Sequence, residues 1–388
     1  MPNEPTTANP FENNPDPEEE TRQIEEVATL TEELLEMRYS PSHRILRGVH
    51  PKSHGCVKAV FEVNADIAEN LRVGLFAVAG KKYDAWIRFS NASVRVEHDL
   101  KDGKNGSRGM AIKVFDVGEE VLQEDGDANN QDFLMINQPA FAFANTEDYL
   151  RLTKIIREHN DDPTTFFAPL QMPVPGVTDE QKLRILNTFK IVQQIQAMPV
   201  ANPLEVRYFS AAPFLFGPDR VMKFAATPSV NQKPQIVPEN PSENYLSEAL
   251  EKTMRGTEDI LFDFQIQVRS KEDGLNIEGA STVWDETEIP FVNVAKIIIR
   301  APQKQITTPK HVERCERLVF TPWHSLAEHQ PLGSINRLRR AVYLASEDKR
   351  GDDQPDHISG RRSHEGQPGR QSGARSVGER HTEDDDSD

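Results

Sequence analysis

The chain has 388 residues, 37% of them hydrophobic, and a formal net charge of −17. That length allows one large core or two ordinary ones, and no apolar run is long enough to span a bilayer. The acidic balance argues against a nucleic-acid partner, because phosphate binding needs clustered basic charge.

Two cysteines, Cys56 and Cys315, demand no disulfide framework. The first twenty residues carry neither the basic stretch nor the apolar stretch of a signal peptide. A reducing, cytoplasmic location is the expectation.

Residues 1–20 are proline-rich and polar, and read as a disordered arm. Residues 351–388 read as a disordered charged tail. A single domain is expected over 21–350. It opens on a helix in which Ile24, Val27, Leu34 and Leu35 recur near helical spacing, with Thr21 as its N-cap. Strands follow. In Cys56–Val63, the residues Val57, Ala59, Phe61 and Val63 share one face. Tyr83–Ser90, Arg108–Val117 and Gln131–Asn137 come next. The clearest alternation is Ile260–Arg269, and Val294–Arg300 and short segments around Tyr208 and Phe224 complete about eight strands. Helices are predicted at Thr146–Glu158, Asp179–Met198 and Ser334–Ser346. The fold class is α+β, an antiparallel eight-stranded β-barrel with inserted and flanking helices.

His50 and His54 stand four apart, but Pro51 and Gly55 break the helix that a shared metal would need, so zinc is not expected. Four phrases follow one another at short intervals: Arg47-Gly48-Val49-His50, Arg88-Phe89-Ser90, Arg108-Gly109-Met110-Ala111-Ile112-Lys113 and Ile136-Asn137-Gln138-Pro139. A fifth, Arg339-Arg340-Ala341-Val342-Tyr343, lies far downstream. In this order they resemble the haem catalase superfamily, in its short, diverged, catalase-related branch, over residues 44–346.

The resemblance implies haem b with Tyr343 as its axial iron ligand, a phenolate kept ionised by Arg339 one helical turn away. It implies His50 as the proton shuttle and Ser90 as its hydrogen-bond partner. Arg47, Arg88 and Arg350 correspond to arginines that pair with haem propionates. Val49 and Tyr149 fall where side chains pack on the ring. The superfamily places an asparagine beside the histidine. Here an ungapped match puts Ile136 at that position, and a one-residue shift would bring Asn137 into the site instead.

The function implied is a haem-dependent oxidoreductase of the peroxidase or catalase type. Its partners would be a small-molecule peroxide and a reductant, and organic or lipid hydroperoxides are included among the substrates. No membrane span is expected, and the sequence leaves open whether the chain forms a homo-oligomer. The alternatives are a haem-binding or haem-sensing protein whose catalytic site has decayed, and a barrel that binds an apolar ligand without haem. The intact spacing of Arg339 and Tyr343 speaks against the last.

Overall fold

The structure is a computed structural model, which describes residues 11–39, 44–118, 121–122, 129–229, 235–270, 273–274 and 276–350. The expected tail over 351–388, and the first ten residues of the expected arm, lie outside the described residues. The strands are β1 (Ser53–Val63), β2 (Lys82–Asn91), β3 (Leu100–Lys101), β4 (Lys104–Asn105), β5 (Arg108–Val114), β6 (Gln131–Ile136), β7 (Tyr208–Phe209), β8 (Phe214–Leu215), β9 (Arg220–Pro228), β10 (Ile260–Ser270) and β11 (Val292–Ile299). The α-helices are α1 (Pro17–Arg38), α2 (Thr146–Glu158), α3 (Asp179–Ala197), α4 (Tyr245–Met254), α5 (Pro309–Arg317) and α6 (Ser334–Arg350).

Eight strands pair in the order β10-β11-β1-β2-β5-β6-β7-β9, and β9 pairs back onto β10. Every ladder is antiparallel, so the barrel closes. These are the eight strands expected from the alternation. A barrel of this size has an interior just wide enough for side chains to fill or for one small ligand. Phenylalanines fill it: the Phe133 ring lies 4.7 Å from that of Phe264 and 5.0 Å from that of Phe224, and Phe61 lies 5.1 Å from Phe264. Any ligand therefore sits outside the barrel.

Alternation decides what lies there. On β2, Ile87 and Phe89 point into the core, so Arg88 and Ser90 point out. The register carries these two outward positions across the sheet. Arg88 faces Ala111, which faces Leu134; Ser90 faces Gly109, which faces Ile136.

The outer face is covered by helices. α1, α2 and α6 pack through Val27, Leu150, Ile335, Leu338 and Val342. α1 begins at Pro17, four residues before the expected Thr21, because Asp16 caps it by accepting from the Glu19 N–H at 3.0 Å. Three glutamates in its first turn complement the positive end of the helix. The later part of the expected disordered arm is likewise folded: Phe11 is buried beside Trp284 and Leu332, and Glu12 pairs with Arg337. The arm's polar composition hid these two anchors.

Two helices absent from the sequence reading complete the cover. α4 places Leu246, Leu250 and Met254 on the barrel core. α5 lies over β1 and β2: His311 stacks on Trp86 at 5.0 Å and donates to the Cys56 carbonyl at 3.0 Å. Cys315 of α5 and Cys56 of β1, 259 residues apart in sequence, are joined in a disulfide. The cysteine spacing gave no sign of this pair, because only barrel closure and the docking of α5 bring the two together. A buried cluster of Lys113, Asp132 and His324 pins the 318–326 segment to β5 and β6, with Lys113 3.0 Å and His324 2.9 Å from the Asp132 carboxylate. Such buried charges hold only as a paired set.

Candidate haem site

A cavity of about 280 Å³ lies between the outer face of β2, β5 and β6 and the inner face of α6. Nine of the ten residues nominated from the sequence line it: Arg47, Val49, His50, Arg88, Ser90, Tyr149, Arg339, Tyr343 and Arg350. They come from four separate segments of the chain. Asn137 is the exception. Its Oδ1 accepts from the Arg108 N–H at 2.8 Å and the Ser107 hydroxyl at 3.1 Å, so its amide braces the turn before β5. Ile136 takes its place in the cavity wall. The reason is the pleat, since Ile136 pairs with Gly109 on the outward face and the next residue turns away.

His50 occupies the left-handed backbone region at φ 58°. A non-glycine residue held there costs on the order of 1 kcal/mol, and such strain clusters at functional sites. Its N–H donates to the Ser93 carbonyl at 3.0 Å, and its Nδ1 lies 2.9 Å from Ser90 Oγ. The ring lies against Gly109, where a β-carbon would fall 2.5 Å from Nδ1 and Cε1. Only glycine at 109 leaves room for the imidazole, a role that the Arg-Gly-Met-Ala-Ile-Lys phrase held in plain view.

Burial and the nearby Arg88, Arg339 and Arg47 push the His50 pKa down to about 3. The imidazole is therefore neutral at ordinary pH. In the tautomer whose Nδ1–H donates to Ser90, Nε2 is left as a free base.

On α6 the residues Arg339, Tyr343, Ser346 and Arg350 recur at 4, 3 and 4 and form one stripe on the cavity side. Ser346 Oγ accepts from the Gly48 N–H at 2.9 Å and so ties this helix to the segment carrying His50. Arg339 Nε donates to Tyr343 Oη at 3.3 Å, and its Nη1 donates to Asn336 Oδ1 at 3.1 Å. Asn336 was not visible as a site residue in the sequence. Tyr149 is half-buried beside Tyr343. Desolvation, with Tyr343 nearby, pushes its hydroxyl up to about 12, which keeps it a neutral phenol.

Arg88 is almost fully buried. Desolvation and the neighbouring Arg47 lower its pKa to about 9, so it stays charged at neutral pH. Its Nη2 has no hydrogen-bond partner among the described residues. Most of the remaining wall is apolar, with Ile136, Phe141, Phe143, Leu152, Leu338 and Val342 prominent.

A closed antiparallel barrel that keeps its cavity on the outer face, under a tyrosine-bearing helix, is the catalase fold. Residues 28–174 match the family model described as Catalase. A fungal catalase structure matches at 17% identity and a TM-score of 0.60, covering 80% of this chain and 60% of that one. Catalase A from Saccharomyces cerevisiae matches at 17% and 0.60, covering 90% and 68%. A bacterial catalase matches at 17% and 0.56, covering 90% and 63%. The chain thus spans about 60% of the length of the fungal catalase it matches. No curated protein sequence matches. The fold of the described residues is that of the catalases, and residues 28–174 carry the match to the family model. Arg339 and Tyr343 lie outside the segment matched by the family model, and the fold is what brings them to the cavity.

Proposed function

We propose that the protein is a haem-dependent oxidoreductase that acts on peroxides. The observation that carries this reading is the convergence of Tyr343 with Arg339, His50 with Ser90, and the arginines 47, 88 and 350 on one apolar cavity. The residues present fit haem. Arginines 47, 88 and 350 gather at the cavity, a phenol stands beside a fixed cation, and most of the remaining lining is apolar.

In this reading Tyr343, as phenolate, is the iron ligand, and Arg339 stabilises its negative charge. Arg47, Arg88 and Arg350 take the carboxylates. When bound, haem iron supplies the redox chemistry that breaks the O–O bond. The protein's part is to move one proton. His50 Nε2 accepts it from one peroxide oxygen and returns it to the other, while Ser90 holds the ring so that Nε2 stays the base. The apolar wall around Ile136, Phe141 and Phe143 excludes water and suits organic hydroperoxides over hydrogen peroxide alone.

The second reading is a haem-binding or haem-sensing protein. It is favoured by one observation, the apolar Ile136 standing where an amide would assist His50. Protein purified after haem supplementation separates the readings. A Soret band at one haem per chain with peroxide-dependent dye oxidation supports the enzyme. The band without turnover supports the sensor. No Soret band and no iron overturns both.

A further inference from the structure

A second cavity, of about 400 Å³, lies between the C-terminal ends of α1 and α2 and the loop that follows β2. Leu34, Met37, Val94, Val96 and Ile156 give it an apolar lining. Met37 and Val96 are each 57% exposed. Apolar side chains left open within one concave surface are what a groove for an apolar ligand presents.

This groove continues from the haem cavity along two walls. On α2, Tyr149 and Leu152 line the cavity and Ile156 lines the groove. Spacings of three and four put all three on one helix face. In the loop after β2, Ala92 and Val94 line the cavity, and Val94 and Val96 line the groove. Val94 thus borders both spaces. It follows Ser93, whose carbonyl accepts the His50 N–H at 3.0 Å. The groove therefore meets the cavity one residue from the contact that fixes the proposed base.

The charged residues of the groove are paired with one another. Asp161 accepts from Arg38 Nε and Nη2, at 3.1 and 2.7 Å, and from Arg95 Nε at 2.7 Å. Arg38 Nη1 also donates to the Gly48 carbonyl at 3.4 Å. These bonds join α1, the end of α2, the loop after β2 and the segment carrying His50, which fixes the groove relative to the base. They also engage both guanidinium groups, and the surface left open is apolar. The chemistry fits an alkyl chain rather than an anion.

We propose that this groove holds the alkyl arm of an organic hydroperoxide whose reacting end lies beside His50, and that Val94 sets which arms pass. The inference rests on the haem reading above and narrows its substrate to hydroperoxides with an extended apolar chain. Hydrogen peroxide has no arm and gains nothing from the groove.

The test uses haem-loaded protein, in which the first cavity is filled, and compares the unmodified chain with Val96→Asp and Met37→Gln. Both positions are exposed, so neither substitution opens a hole in the core. The first arm measures kcat/KM for dye oxidation with hydrogen peroxide and with ethyl, butyl and hexyl hydroperoxides. In the unmodified protein it should rise with chain length, by up to about fourfold per added methylene. The ratio of the hexyl to the hydrogen peroxide value should fall in both variants. The second arm titrates the same samples calorimetrically with 1-octanol, which reads binding without turnover. One octanol should bind per chain, and about fourfold or more weakly in each variant, the worth of one buried methylene. Absence of octanol binding, or binding that both variants leave unchanged, overturns the proposal. So does a rate that is independent of chain length, or a rise with length that both variants leave intact. If the protein takes up no haem, the peroxide reading falls and takes this inference with it. If it takes up haem and turns over hydrogen peroxide with no dependence on chain length, only the inference falls.

Discussion

Arg339 Nε lies 3.3 Å from the hydroxyl of Tyr343, one turn along α6, and Asn336 holds the far side of the same guanidinium at 3.1 Å. The cation is thus fixed at both edges and cannot swing from the phenol. This pair governs the charge of the group proposed to bind iron. Tyr343→Phe removes the ligand oxygen, and haem retained after gel filtration should fall by at least tenfold. Arg339→Met keeps the phenol but removes the donor 3.3 Å from its hydroxyl. That variant should retain less haem after gel filtration than the unmodified protein. Haem per chain reads this directly, and equal retention would discard the role of Arg339.

His50 is the group assigned to proton transfer. His50→Ala should keep haem at one per chain and lose at least about a hundredfold in the rate of peroxide-dependent dye oxidation, the usual contribution of a general acid–base group. Stopped-flow absorbance after mixing with peroxide measures the step itself. A retained rate at normal haem content would move the base elsewhere.

Ile136 occupies the rung next to Gly109 and His50, and it offers no hydrogen bond. Turnover of two hydrogen peroxide molecules to oxygen needs the second one held beside the histidine, so oxygen release should be slow. Peroxidase turnover with an organic donor should be measurable. Ile136→Asn should raise oxygen evolution relative to dye oxidation, compared on haem-quantified samples with an oxygen electrode. Oxygen release at the rate of a full catalase in the unmodified protein would contradict this assignment.

Acid should destabilise the fold before carboxylates titrate. Burial pushes His50 and His54 down to about 3 and His329 down to about 4. In the unfolded chain each titrates near its ordinary value of about 6.5. Between those values the unfolded state binds protons that the folded state does not. Stability is therefore fully present above about pH 6.5 and falls as pH drops toward 4. The slope approaches about 1.4 kcal/mol per pH unit for each histidine. Urea unfolding at pH 7, 6, 5 and 4.5 measures it. His54 accounts for one such step: it bonds Asn91 at 3.0 Å and lies 3.7 Å from Asp99 in a buried network. His54→Gln should be less stable at pH 7 and show a shallower slope. A flat profile from pH 7 to 5 would contradict the burial of these rings.

Much of this protein is written in its local pattern. Period-two alternation marked the long strands β1, β2 and β10, because one face of each is packed into the barrel core. The helices Thr146–Glu158 and Asp179–Ala197 were legible to within a residue, since each carries a capping residue and an apolar stripe. The resemblance carried by five short phrases nominated ten residues, and nine of them converge on one cavity.

Other features belong to the tertiary structure alone. Alternation says that Arg88 and Ser90 face outward, and outward ordinarily means solvent. They are buried because α5 and α6 cover that face. Whether Ile136 or Asn137 meets the cavity depends on register, and the pairing of Ile136 with Gly109 decides it. α5 buries only His311 and Cys315, too few residues to leave a helical stripe. Its disulfide and the contact of Glu316 with Arg47 span 259 and 269 residues. Contacts at such separation leave no local trace, because neighbours along the chain do not select them. They follow from closing the barrel and docking a helix on it.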